Sequence, residues 1–263
     1  MELRTVMRTT PASRAFTGEE LPDDVLYDIL DHARFAPNGS NRQAWHVTVV
    51  RDPARKARLA ELWGLAMREP AAFSAAGMLA FVASEAYWRN PPGQPSMPAI
   101  ELSGLDIDEA ERRPPGPGAP ALPIAGTPVA GARPIAGASP SFVAGASAIL
   151  VLSVDLREVS AMDSGLGRLS ISAGASVYPF AHNVLLAARD SGFGGVITTV
   201  LVRQEPAVKE LLHLPDDHAI ACTIPLGRPA KEVRRLRRQP VEAFATSERF
   251  DGPAFGAPAP LGQ

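Results

Sequence analysis

The sequence holds one cysteine, Cys222, which excludes an internal disulfide and a metal site built from several thiolates. Cys222 lies in the apolar run Ala219 to Leu226 and reads as a small core residue. Neither sign of charge dominates: 26 basic residues stand against 28 acidic ones, a net charge of -2, so there is no polybasic footprint for nucleic acid or an anionic membrane. A small-molecule partner is the expectation that remains. No run approaches the ~20 apolar residues that span a bilayer, and the opening Met-Glu-Leu-Arg-Thr-Val-Met-Arg lacks the apolar core of a secretory signal. The chain reads as cytoplasmic.

What is present is 263 residues, 46% of them hydrophobic, enough to bury a real core and close to the size at which one domain divides. One compact domain with an insertion is expected. The insertion is residues 90–141, which contain 12 of the 26 prolines and 7 of the 22 glycines. Proline at that density defeats helix and central strand alike. Pro-Ile-Ala-Gly, Pro-Val-Ala-Gly and Pro-Ile-Ala-Gly recur at 123, 128 and 134 with unequal spacing, which excludes a solenoid. Two readings stay open, a lid and a disordered surface loop.

The chain is organised around Ala36 to Val50. A helix beginning at Leu21-Pro22-Asp23-Asp24, with Leu26, Ile29, Leu30 and Ala33 on one face, stops before Pro37. A polar loop follows, in which Gly39 and two asparagines tolerate unusual backbone angles, and then the strand Trp45 to Val50. Amides from Asn38, Asn41 and Gln43, the Ser40 hydroxyl and the Arg42 guanidinium suit a flat, polar-edged ligand, and the same residues also suit an ordinary helix-to-strand turn.

Downstream, a helix is expected over Ala54 to Met67 with Leu59, Leu62 and Trp63 inward, and a further alanine-rich helix or strand start over Ala71 to Trp88. Ser147 to Leu156 has the near-continuous apolar pattern of a strand covered on both faces. Ser172 to Ser191 reads as one long helix ending at Gly192 and bent near its first turns by Pro179, apolar enough on most sides to need its own core or another subunit. Gly194 to Val200 reads as a strand whose glycines allow close backbone approach, Glu205 to Leu212 as a short helix and His218 to Leu226 as a strand. Lys231 to Arg238, with four arginines and a lysine, reads by itself as a solvated tail.

These pieces resemble the nitroreductase family of FMN-dependent oxidoreductases, from about Arg8 to Trp88 and from Ser147 onward. Arg14-Ala15-Phe16 is similar to the end of the family's N-terminal basic motif. Ala-Pro-Asn-Gly-Ser-Asn-Arg-Gln-Ala-Trp (36 to 45) resembles its Ala-Pro-Ser-x-x-Asn-x-Gln-Pro-Trp. Gly174 through Pro179, His182-Asn183 and the stretch 187 to 195 resemble its central helix and glycine turn. Ile224-Pro-Leu-Gly-Arg-Pro with residues 236 to 240 resembles its last strand and basic tail. The resemblance implies an α+β fold, a mixed sheet sandwiched by helices, assembled as an intertwined homodimer with one FMN in each of two interface sites.

It also implies NAD(P)H as co-substrate and a nitroaromatic, quinone or similar small acceptor, with dehalogenase-like chemistry or a non-catalytic flavin protein as alternatives. Arg14 is implied near the flavin pyrimidine edge, and Pro37, Asn38, Gly39, Asn41 and Gln43 at the FMN of the other subunit. Thr198 and Thr199 are implied to place backbone or hydroxyl donors near the reactive ring nitrogen, and Arg237 and Arg238 to hold the phosphate. No acid-base dyad and no metal are implied. The chain departs from the pattern at Pro11 and Ala12, where the family's arginine and serine fall, and at Ala44 and His182.

Overall fold

A computed structural model of the chain describes residues 1–75, 139–163 and 171–256. The proline-rich segment, except for Ser139, Pro140 and Ser141, lies outside the described residues, as does most of the stretch 71–88.

Four strands form the sheet: β1 (Trp45–Val50), β2 (Ala148–Asp155), β3 (Gly194–Gly195) and β4 (His218–Gly227), in the order β1-β2-β4-β3. All three pairings are antiparallel, so among the described residues the sheet is not mixed as expected. β2 is the interior strand predicted from its apolar run. Ala148, Leu150, Leu152 and Val154 enter one core, and Ile149 and Val151 enter another.

The first core lies under α2 (Asp23–Ala33) and α5 (Tyr178–Asp190), the second under α3 (Pro53–Ala75), the turn α4 (Ser141–Ala144) and α6 (Glu205–Leu212). The result is three layers, helix, sheet and helix. α2 starts as predicted, with Pro22 before it and Asp23 and Asp24 in its first turn. α1 (Leu3–Thr9) is a helix outside the elements expected from the sequence.

Between Leu152 and Ser153 the register of β2 against β4 shifts by one residue. This bulge turns Ile220 into the second core while Cys222, Ile224 and Leu226 face the first. Its loose backbone groups are taken up by side chains: Glu205 accepts the Ile220 N–H at 2.8 Å, and the Tyr178 hydroxyl donates to the Ala221 carbonyl at 3.2 Å. Cys222 is fully buried, and burial pushes its thiol up to about 12.

The helix expected over Ser172 to Ser191 is two elements. A 3-10 stretch, Ser172–Ser176, precedes α5, and Pro179 sits in the first turn of α5, where its missing N–H leaves no bond unmade, rather than bending a longer helix. α5 ends as predicted: Gly192, at φ +81°, donates to the Arg189 carbonyl at 3.1 Å and Phe193 donates to that of Ala188 at 2.8 Å. Phe180, Ala181, Val184, Leu185 and Ala188 are buried within this one chain, so most of the apolar surface of α5 is covered by its own core and does not by itself require a second subunit.

The strand expected over Gly194 to Val200 is shortened to Gly194–Gly195 and a single bridge from Thr198 to Thr223, because a 3-10 turn begins at Val200. The glycine requirement is steric. A β-carbon on Gly195 would lie 2.3 Å from the Pro225 carbonyl oxygen and 2.8 Å from the Leu226 side chain.

Candidate active site

The loop between α2 and β1 is closed by its own polar groups. Asn38 Oδ1 accepts the Gln43 N–H at 2.9 Å, Asn38 Nδ2 donates to the Ala36 carbonyl at 3.3 Å, and Gln43 Nε2 donates to the Asn41 carbonyl at 3.4 Å. Ser40, Asn41 and Gln43 have φ near +53°, three of the five non-glycine residues with positive φ among the described residues. Such conformations cost about 1–3 kcal/mol each and persist where the surroundings enforce them, most often at ligand sites. Gly39 is not one of them, contrary to the sequence expectation. A β-carbon there would meet Ser176 Oγ at 3.2 Å, and the same hydroxyl accepts the Gly39 N–H at 3.2 Å. Pro37, Gly39, Asn41 and Gln43 are exposed and Asn38 is partly so. Arg42 turns away to the Glu158 carbonyl at 3.4 Å.

A second group of predicted residues lies along the opposite edge of the sheet. The Ser13 N–H donates to the Gly195 carbonyl at 2.8 Å and the Ala230 N–H to that of Ala15 at 2.9 Å, which fixes the backbone on both sides of Arg14. The Arg14 side chain is exposed and has no hydrogen bond or ion pair among the described residues. Further along this edge Thr198 and Thr223 exchange both backbone hydrogen bonds, at 2.9 and 2.8 Å. The backbone N–H of Thr198 is therefore engaged and cannot serve as the ligand donor the resemblance allowed. The adjacent Thr199 is exposed and its N–H has no partner among the described residues. This edge presents a free guanidinium, a free backbone N–H and the Thr198 hydroxyl.

Arg237 and Arg238 lie apart from both groups. They are exposed, Arg238 donates to the Arg237 carbonyl at 2.8 Å, and with Arg235 and Leu236 they line an open concavity of about 490 Å³. The last hydrogen bond from the body to this segment runs from Arg189 to the Val233 carbonyl at 3.5 Å. Among the described residues, those of 234–256 are internal. At the positions of the departures, Pro11 and Ala12 offer no charge, and the neighbouring Thr10 donates its hydroxyl back to the Val6 carbonyl at 2.7 Å.

Two supporting residues escaped the sequence reading. Ser176, which holds Gly39, ends a 3-10 stretch whose start is bound by buried Asp163: its carboxylate accepts the Ile171 N–H at 2.9 Å, the Ser172 N–H and the Ser172 hydroxyl. Trp63 has its indole N–H 3.4 Å from the Thr198 hydroxyl. On a helical wheel Trp63 is an inward apolar residue, and nothing in its spacing marks the bond.

An antiparallel sheet lies between two helical layers, with a strained polar loop at one edge and unengaged donors at the other, the architecture of an α+β protein. The chain belongs to the Nitroreductase family, whose model matches residues 7–228, and is an oxidoreductase of that family. It is 24% identical to a 4-nitrobenzoate reductase of Pseudomonas putida over 252 residues, which is 94% of this chain and 95% of that one. In fold it is similar to nitroreductase A of Vibrio parahaemolyticus, with a TM-score of 0.59 and 17% identity over 94% of this chain and 76% of that one. It is also similar to the NADPH:FMN oxidoreductase of Vibrio harveyi complexed with NAD+, with a TM-score of 0.58 and 16% identity over 94% and 77%. No helix of the described residues is long and apolar enough to cross a membrane.

Proposed function

We propose that the protein binds FMN and uses it to carry hydride from NAD(P)H to a nitroaromatic, quinone or similar small acceptor by a ping-pong mechanism. Family membership supports the reaction type, and the relatives named 4-nitrobenzoate reductase and NADPH:FMN oxidoreductase support the class of acceptor and the donor. The observation that carries the cofactor is the unengaged donor set on one sheet edge: the Arg14 guanidinium, the Thr199 N–H and the Thr198 hydroxyl. These types fit the acceptor-rich edge of a flavin ring, and a fixed positive charge beside the pyrimidine favours the anionic reduced form. FMN, when bound, supplies a ring that takes up hydride and gives it back. The chain's own residues bind and orient it, and no side-chain acid or base is required of them. Arg237 and Arg238 would hold the phosphate through guanidinium forks.

We place the site between two copies of the chain. The loop Pro37 to Gln43 precedes the edge strand β1, whereas Arg14 and Thr198 lie beside β3, the other edge. One copy would supply Arg14, Thr198 and Thr199, and the second Pro37, Asn38, Gly39, Asn41 and Gln43. The segment after Val233 supports a homodimer as well, since it carries Phe244, Phe250 and Phe255 with their rings largely in solvent. A cytoplasmic enzyme with a small-molecule acceptor goes with this reading.

The test is the visible spectrum of the purified protein before and after anaerobic NADPH, with the sedimentation mass measured alongside. A yellow dimer bleached by NADPH, and re-coloured by a nitroaromatic or quinone, is expected. Yellow protein that NADPH does not bleach would identify a flavin-binding protein without turnover. Colourless protein that cannot be reconstituted with FMN would overturn the proposal.

A further inference from the structure

Every polar group of Thr198 but one is engaged. Its N–H donates to the Thr223 carbonyl at 2.9 Å, and its carbonyl accepts the Thr223 N–H at 2.8 Å and the Thr223 hydroxyl at 3.3 Å. Its hydroxyl oxygen accepts twice, from the Trp63 indole N–H at 3.4 Å and from the Val200 N–H at 3.4 Å. A threonine hydroxyl has two acceptor lone pairs and one hydrogen. Both lone pairs face N–H groups that donate only and cannot reverse their role. Only the hydrogen is left, and it has no acceptor among the described residues.

Trp63 is fixed as firmly as the hydroxyl it addresses. It is 4% exposed, in the second core, and its ring meets that of Phe142 edge-on with centroids 5.2 Å apart. A buried indole N–H requires a partner, and Thr198 Oγ is the one it has, so the core itself sets the direction of the hydroxyl.

We propose that Trp63 and Val200 lock the Thr198 hydroxyl as an obligate hydrogen-bond donor to the reactive ring nitrogen of the flavin, with Trp63 as a positioning residue behind it. The inference rests on the FMN reading above. The ring nitrogen has a lone pair to accept this bond when oxidised and bears a hydrogen after reduction, so a hydroxyl that can only donate favours the oxidised ring. It holds the potential down and makes reduced flavin the better hydride donor. A freely rotating hydroxyl would turn to suit either form and would favour neither.

The experiment is the midpoint potential of FMN bound to the dimer, with FMN affinity measured separately for each variant. Thr198→Val keeps the shape and removes the donor. We expect bound flavin to become relatively easier to reduce by about tenfold in the ratio of oxidised to reduced affinities, a rise of about 30 mV for a two-electron couple. Thr198→Ser keeps the hydroxyl and both of its N–H donors and should restore the wild-type potential. Trp63→Phe keeps an aromatic ring in the core and frees one lone pair, giving a smaller rise with FMN still bound. An unchanged or lowered potential in Thr198→Val overturns the assignment to the ring nitrogen, and a Trp63→Phe potential equal to wild type overturns the role of Trp63. Failure of the wild-type chain to take up FMN at all is a different result and sinks the functional reading instead.

Discussion

The Ser176 hydroxyl and the Gly39 N–H are hydrogen-bonded at 3.2 Å, joining the 3-10 stretch ahead of α5 to the polar loop ahead of β1. The contact leaves no slack, since a β-carbon on Gly39 would meet the same oxygen at 3.2 Å. Ser176→Ala removes one ordinary hydrogen bond, about 1 kcal/mol, and should lower Tm by about 2–4 °C. Gly39→Ala crowds the loop and should weaken FMN binding several-fold with little change in Tm. Calorimetry and flavin titration separate the two effects.

Gly195→Ala should be among the most damaging single substitutions in the sheet. Its methyl group would overlap the Pro225 carbonyl oxygen, which is backbone and cannot rotate away. We expect a loss of about 3 kcal/mol or more in urea unfolding. Gly256→Ala, where nothing lies within 4 Å of the new atom, is the control and should leave the midpoint unchanged.

Arg14→Ala and Arg238→Ala should each weaken FMN binding, by roughly ten- to a hundredfold if each removes one charge-assisted bond. The two differ in what they leave behind. Arg14→Ala should also shift the spectrum of whatever flavin remains, because it acts at the ring, whereas Arg238→Ala should alter affinity alone. Wild-type affinity in Arg238→Ala would move the phosphate to Arg235 or Arg8, both exposed.

Asp155 is gripped by Arg157, Nε to Oδ1 at 2.9 Å and Nη2 to Oδ2 at 2.6 Å, which holds its carboxyl at about 2 against an ordinary 3.8. A lowered folded-state value makes the pair stabilising above the ordinary value, and the contribution fades as pH falls from about 4 to about 2. Asp155→Asn should therefore be less stable than wild type at pH 5, with the gap closing through that window. Urea midpoints at pH 5, 4, 3 and 2.5 check the sign.

Cys222, buried and pushed up to about 12, should ignore aromatic disulfide reagents at pH 8 in the native protein and react at once in urea. Reaction of the native thiol at the rate seen in urea would show that the first core opens readily.

Local chemistry is what the sequence by itself determined. Asp23 and Asp24 after Pro22 start α2, Gly192 stops α5, the apolar residues after the polar loop make β1 a strand, the unbroken apolar run of β2 marks an interior strand, and the order of the motifs points to the family. These features work over a few residues, and a linear reading sees them. The tertiary structure alone decided which group meets which across long separations. It removed the Thr198 backbone N–H from the site by pairing it with Thr223, gave Trp63, a core residue as expected, a hydroxyl partner 135 positions away, and gave the positive φ to Ser40, Asn41 and Gln43 rather than to Gly39. A hydrogen bond depends on where donors and acceptors stand in space. That is fixed only when both faces of the sheet are packed.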